Sequence, residues 1–425
     1  MKPLFGKKKT RKQYEKNVYL FGLPGELEPV MHILCDTFGT DAASGSGNTL
    51  QLHNGDITVN AVVICESIND EAKAYVTDQR DRTRSHFMTV ETAHTDVRTN
   101  LFYQLGCAGC FISVHYTFSA EDIPRKRAMV EDMLIRTLPP LHGVMLIPGE
   151  TNREPDAIYC ADADGSRQLI LSETGESTFD TYLPRMGPEL HELYPDIPAR
   201  QLDRRKRSRR ILKRHGIYVP GFYPVIESET EAVIRTPEEI AGRAVALMTV
   251  SLYSECLLAE DMTPSEALGF VSSIIDTFCT AETVGTFFSP NEWEYLHNAD
   301  STQQERLNGS WQYENLWVME WALGFVDTLD FPQHYCDVPE SVRLLKNCEN
   351  FEDILAKAKP RTASELLDAC DLIFCLDWAC VDARMYRFPM PAGMDGGVVQ
   401  ERHRSLNWLT GYDESAAWDD VGTDT

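Results

Sequence analysis

Two periodicities divide the chain. Up to about residue 183, short alternating or β-branched runs are interleaved with helical spacing; beyond residue 200 the patterned stretches are helical. Residues 17–22 (NVYLFG) form a short apolar strand candidate. Residues 26–38 place Leu27, Val30, Met31, Leu34 and Phe38 on one helical face. Residues 50–52 and 57–64 flank His53-Asn54-Gly55-Asp56, where Asn-Gly favours the tight turn of a hairpin. Residues 95–105 repeat at helical spacing through Val97, Leu101, Phe102 and Leu105. Residues 110–118 (CFISVHYTF) are β-branched and aromatic, hence strand. A helix over 120–138 and a strand over 143–147 follow. Residues 157–160 and 168–171 flank Asp162-Ala163-Asp164-Gly165, a second hairpin. This pattern predicts an α+β domain over residues 17–183, with helices packed on a mostly antiparallel sheet. The order strand, helix, hairpin, helix, strand hints at a ferredoxin-like core.

Pro184, Gly187, Pro188, Pro195 and Pro198 mark residues 184–200 as a proline-rich linker. The rest, 201–425, reads as an all-α helical bundle because its helix starts repeat. Thr236-Pro237-Glu238-Glu239, Thr263-Pro264-Ser265-Glu266 and Ser289-Pro290-Asn291-Glu292 each combine a capping hydroxyl, a proline that needs no amide partner, and a glutamate reaching back from the third helical position. Asp337-Val338-Pro339-Glu340 and Thr362-Ala363-Ser364-Glu365 are variants. Long helices are expected over 302–325 and 363–387, with a last one over 397–409 that stops before Gly411.

A length of 425 residues, with 43% apolar and 25% charged positions, is globular and suits two or three domains. The start of the chain lacks the apolar core of a signal peptide. No run approaches the ~20 apolar residues of a membrane span. The twelve cysteines mostly sit in apolar runs, as reduced thiols do. A cytoplasmic protein is the expectation. Net charge is −25, yet residues 1–16 hold seven Lys/Arg and residues 200–215 hold nine. Outside these islands 63 acidic residues face 24 basic ones, so the body repels nucleic acid and anionic membrane. Residues 1–16 read as a basic disordered tail. Residues 200–215 (RQLDRRKRSRRILKRH) read as a basic helix docked on the acidic body, and nucleic-acid binding there is the less favoured reading.

Motifs with known chemistry are scarce. Cys107-Ala108-Gly109-Cys110 has redox spacing, but here a helix precedes and a strand follows, the reverse of a thioredoxin-type motif. Cys370, Cys375 and Cys380 do not share a helical face. Asp162-Ala163-Asp164-Gly165 lacks the remaining ligands of a calcium loop. Nucleotide loops, dinucleotide fingerprints, nucleophile elbows and zinc-protease motifs are missing. No cofactor and no metal are expected.

One constellation in the helical half is the candidate site. Trp311, Glu314, Trp317 and Trp321 fall on one helix face; Glu401, Arg402, His403, Asn407 and Trp408 fall within three turns of another helix. A carboxylate, an arginine, a histidine and an amide on a tryptophan-lined pocket suit a small polar ligand or acid–base chemistry. The competing reading is a buried polar network that fixes helix register, with the tryptophans as core. Asp419, Asp420 and Asp424 form an acidic tail that closes over such a pocket, holds a metal or, as such tails usually are, is solvated.

Several of these segments, in this order, resemble one bacterial family. They are residues 235–244 (RTPEEIAGRA), Trp311-Gln312-Tyr313-Glu314 with Trp321-Ala322-Leu323-Gly324, Asp371-Leu372-Ile373 with Trp378-Ala379, and the terminal ERHRSLNWL and WDDVGTDT. The family is labelled domain of unknown function forty-two seventy-two, and the similarity covers residues 203–425. This chain departs from it at Arg404, where the family usually shows a tyrosine or similar residue. The first half is similar to the α/β region that precedes this domain in related bacterial proteins. The resemblance implies a bacterial, cytoplasmic protein and names no reaction. Charge and the lack of catalytic motifs favour a non-catalytic binding module with a basic protein partner or a small polar ligand. A hydrolase using Glu314, Glu401, Arg402 and His403 is the alternative.

Overall fold

A computed structural model of the protein describes residues 13–38, 47–150, 154–162, 164–184, 186–187, 189–259, 262–280 and 282–425, without the side chains of Tyr386, Glu414 and Ser415. The chain divides into two compact units, residues 1–193 with 220–222 and residues 194–219 with 223–425. Residues 1–12 of the basic segment lie outside the described residues; its last four, from Gln13, open the first strand.

The first unit runs β1 (Gln13–Gly22), α1 (Leu27–Phe38), β2 (Thr49–Asn54), β3 (Ile57–Cys65), α2 (Asp70–Met88), α3 (Thr95–Cys107), β4 (Cys110–Ser119), α4 (Ile123–Ile135), α5 (Leu138–Leu141), β5 (Val144–Ile147), β6 (Ala157–Ala161), β7 (Arg167–Ser172) and α6 (Leu190–Leu193). Its seven strands form one antiparallel sheet in the order β2-β3-β4-β1-β5-β6-β7. The inner four, β3-β4-β1-β5, follow the ferredoxin-like order, because β4 inserts between β1 and β3 and pairs antiparallel with both. Strand alternation sorts the side chains. Val18, Leu20, Ile112 and Val114 meet Val30 and Leu34 of α1 and Val130 and Leu134 of α4. On the opposite face Phe111 meets Phe21 and, from α2, Tyr75.

The hydrophobic pattern does not predict α2, whose 19 residues bury only Ala72, Val76, Thr83 and Phe87. Its start is nonetheless encoded, since Asn69 accepts the Ala72 amide at 2.7 Å. The Asp162 carboxylate accepts the Asp164 and Ser166 amides and the Ser166 hydroxyl, so this aspartate closes the hairpin turn on itself.

The second unit is all-α: α7 (Ala199–Arg214), α8 (Pro237–Leu258), α9 (Pro264–Phe278), α10 (Val284–Phe287), α11 (Pro290–His297), α12 (Gln303–Ala322), α13 (Val338–Lys346), α14 (Phe351–Lys357), α15 (Ala363–Tyr386), α16 (Gly396–Thr410) and α17 (Tyr412–Ser415). The segment read as a linker, 184–200, therefore contains α6 and the first two residues of α7. Thr236, Thr263, Ser289 and Thr362 form reciprocal capping boxes with the glutamates three residues on. Thr302 does the same with Glu305, and Asp337 accepts the Glu340 amide. α16 ends at Gly411, whose φ of +73° suits a residue without a Cβ.

α8 is the central helix. By length and composition alone it is apolar enough to cross a membrane, unlike the sequence-based expectation, and 89% of that window is buried inside the unit. It lies close to α12 because Gly309 leaves room: a Cβ there would stand 2.0 Å from Ser254 Oγ. α7 docks on α15 through buried charge. Arg205 pairs with Asp371 at 2.8 Å, and Arg204 with Glu229 at 2.6 Å and Asp368 at 3.3 Å. Ser208 also donates to Asp371. These guanidiniums satisfy carboxylates of their own unit, which explains a basic segment in an acidic chain.

Candidate functional site

Glu314 is fully buried on α12, and its two oxygens are both engaged. One accepts from Arg402 Nε at 3.1 Å; the other accepts the Cys336 backbone amide. Arg402, on α16, also donates through Nη1 to the Asp330 carbonyl. One residue along, His403 Nδ1 meets Asp377 Oδ2 of α15 at 2.8 Å, both side chains buried. Glu401 accepts from Asn315 at 2.6 Å, and Asn315 accepts in turn from Ser405. Burial raises the Glu401 carboxyl above the usual carboxylate range, partly offset by the Asn315 amide. Asn407 donates to the Gly422 carbonyl and accepts from Cys370. Consecutive residues of α16 thus point to different neighbours, as a 100° helical advance requires.

The tryptophans separate as well. Trp311 packs on Tyr335 with centroids 4.5 Å apart, and its indole lies over Gly397, where a Cβ would come within 2.6 Å. Trp321 is buried under the Arg361 guanidinium, 5.4 Å from its ring. Trp408 meets the buried Trp418 edge-on at 5.8 Å. Arg243 and Arg404 both lie over Trp418, at 4.9 and 4.6 Å, and Arg235 lies 4.9 Å from Trp408. The C-terminal segment is therefore tied down: Arg404 donates to the Trp418 carbonyl, and Asp419 accepts the Asn291 amide in the first turn of α11. Asp420 and Asp424 are exposed.

Two of the clefts on this unit bear on these residues. The larger, about 760 Å³, lies beside Trp408 and Trp418. Arg235 and Arg243 line it together with the carboxylates of Glu238, Glu239, Asp419 and Asp420. Both guanidiniums are engaged: Arg235 with the carbonyls of Trp408 and Ala416, Arg243 with Glu292. Arg243 is 4% exposed, and burial lowers its pKa, opposed by the Glu292 charge. Glu238 and Asp420 make no side-chain hydrogen bond among the described residues and are exposed on the rim. The smaller cleft, about 360 Å³, is mainly apolar and contains Trp321 and Arg402.

Of the sequence-derived candidates, Trp408, Asp419 and Asp420 therefore line one cleft and Trp321 and Arg402 another. Trp311, Glu314, Glu401, His403, Asn407 and Asp424 line neither. Sequence reasoning missed Arg235, Arg243, Glu292, Asp377 and His215. Arg243 carried a signal, being the sole basic residue in the apolar stretch 240–258. In the sheet unit, His86, Asp156 and Glu173 bring three metal-capable atoms within 4.8 Å of one another. Their carboxylates are engaged, Asp156 with the Gly149 amide and Glu173 with the Asp156 amide. Cys110 donates to the Gly22 carbonyl and faces Cys65 across the sheet rather than Cys107. None of the twelve cysteines is in a disulfide.

A family model described as Domain of unknown function (DUF4272) matches residues 204–421. No curated protein and no solved structure matches the chain.

Proposed function

The chain belongs to the DUF4272 family, and on that premise we propose that its helical unit is a non-catalytic binding module that receives a basic segment of a protein partner in the cleft beside Trp408 and Trp418. The supporting observation is the charge of the lining. Four carboxylates face the cleft against two guanidiniums, and those two are already held by protein groups. Glu238 and Asp420 are exposed there without a side-chain hydrogen bond of their own. A lysine or arginine side chain entering the cleft gains two acceptors at no cost to the existing network. It meets carboxylates rather than bare indole faces, since arginines of the chain already lie over both rings. A volume of about 760 Å³ accommodates several side chains. The net charge of −25 would steer a basic partner towards the protein at low salt.

The buried groups of α12 and α16 support a binding role over a hydrolytic one. Glu314 pairs with Arg402, and His403 hydrogen-bonds Asp377, as two separate buried contacts. The test is fluorescence anisotropy of labelled lysine/arginine-rich and glutamate-rich peptides of equal length. The basic peptide should bind, lose affinity as salt rises, and lose it severalfold when Glu238→Gln and Asp420→Asn are combined. Binding of the acidic peptide with equal affinity, or no effect of the double variant, would refute the reading.

A further inference from the structure

We propose that the smaller cleft of the helical unit binds a free amino acid with an apolar side chain, its carboxylate held by Arg402 and its ammonium facing Asp330. This site is independent of the acidic cleft.

The argument starts from an unmet donor. Arginine carries five N–H donors. Arg402 uses Nε on Glu314 and Nη1 on the Asp330 carbonyl, while its Nη2 makes no hydrogen bond among the described residues. Yet Arg402 is 4% exposed and lines the cleft. Nη2 is not one of the buried polar atoms that lack a partner, so it is open to solvent, and a carboxylate entering the cleft gains a charge-assisted hydrogen bond from it.

The second observation is an anion at the same end. Arg402 Nη1 anchors the backbone of Asp330, so the Asp330 carboxylate belongs to the same part of the lining. Asp330 is exposed, and its one side-chain hydrogen bond comes from the Thr328 hydroxyl at 3.4 Å. Asp327 is a further exposed carboxylate of the lining. A ligand with a carboxylate alone meets these aspartates uncompensated. A ligand with an amine alone leaves Arg402 Nη2 unmet. A carboxylate and an ammonium on one carbon answer both.

The remainder of the cleft sets the side chain. Trp321, Leu372, Ile373 and Leu376 are apolar, and His215 stacks on Phe331 with centroids 3.8 Å apart and planes 6° from parallel. Aromatic and branched aliphatic side chains gain most from leaving water there. The volume of about 360 Å³ lies within the range of small-molecule sites, ~300–1,000 Å³.

Isothermal titration calorimetry of the full chain tests this with L-phenylalanine, L-leucine, 3-phenylpropionate and phenethylamine. Both amino acids should bind, and loss of either head group should weaken binding about tenfold or more. Asp330→Asn, an exposed change, should weaken phenylalanine about tenfold and leave phenylpropionate bound as tightly or more tightly. Leu372→Trp should fill the cleft and abolish binding while Glu238→Gln leaves it intact; if Leu372→Trp fails to fold, Asp330→Asn decides. No heat from either amino acid at millimolar concentration would overturn the proposal. So would phenylpropionate binding as tightly as phenylalanine, or binding retained in folded Leu372→Trp.

Discussion

His403→Ala removes the one hydrogen-bonded donor, among the described residues, to a buried carboxylate, so its cost can be worked out. Asp377 is 2% exposed, and its Oδ1 already lacks a hydrogen-bond partner. Its Oδ2 depends on His403 Nδ1 at 2.8 Å. The nearest other cation is Arg384, 3.9 Å from Oδ1 and half exposed, which screens weakly. Loss of a charge-assisted hydrogen bond costs about 1.5–3 kcal/mol, and orphaning a buried charge brings the total to about 3–5 kcal/mol. For a unit of this size each kcal/mol lowers Tm by about 2–4 °C, so a drop of at least 6 °C is expected. Differential scanning calorimetry reads the transition of the helical unit. The control is Asp377→Asn in the His403→Ala background. With the charge removed, roughly half of the lost stability should return, because the remaining loss is imidazole packing. If the double variant melts no higher than His403→Ala, the penalty is a cavity and the orphaned-charge reasoning is wrong. If His403→Ala melts like the wild type, the pair is not structural and His403 is available for chemistry.

Three further outcomes follow from the same geometry. Burial holds the Glu320 carboxyl well above the usual range, so the folded state keeps a proton that the unfolded state releases. Stability should therefore fall as pH rises from the ordinary glutamate range towards the raised folded value, and Glu320→Gln should flatten that fall and stabilise at neutral pH; a pH series of denaturant midpoints checks the sign. Gly309→Ala should cost about 1–3 kcal/mol in chemical denaturation because its Cβ would strike Ser254 on the facing helix, and a loss below about 0.5 kcal/mol would mean α8 and α12 separate easily. Thr362→Ala opens the capping box of α15 and should cost about 1 kcal/mol, with Thr362→Ser restoring most of it.

Local chemistry made much of the fold legible. Helix starts such as Thr236, Thr263, Ser289 and Thr362 are decided by contacts three residues apart, and the stop at Gly411 by one residue's backbone freedom. The hairpin at Asn54-Gly55 and the strand of residues 110–118 follow from turn chemistry and β-branched alternation. α2 escaped because a polar helix with few buried positions leaves little periodicity.

The candidate site was legible only as an inventory. Spacing puts Glu314 on α12 and Arg402 and His403 side by side on α16, yet each also meets a partner from a distant segment: Cys336 for Glu314, Asp330 for Arg402 and Asp377 for the histidine. No local rule names a partner tens of residues away. The clefts depend on such meetings too, since Arg243 reaches Glu292, the Trp418 segment returns to α8, and His215 finds Phe331. The sequence by itself determined where many of the helices and strands begin, the presence of a sheet-forming half and a helical half, and the charge of the body, because these rest on neighbours in the chain and on composition. The tertiary structure alone decided which charges are buried in pairs and which face a cleft, because burial and pairing are properties of the packed helices and not of any one of them.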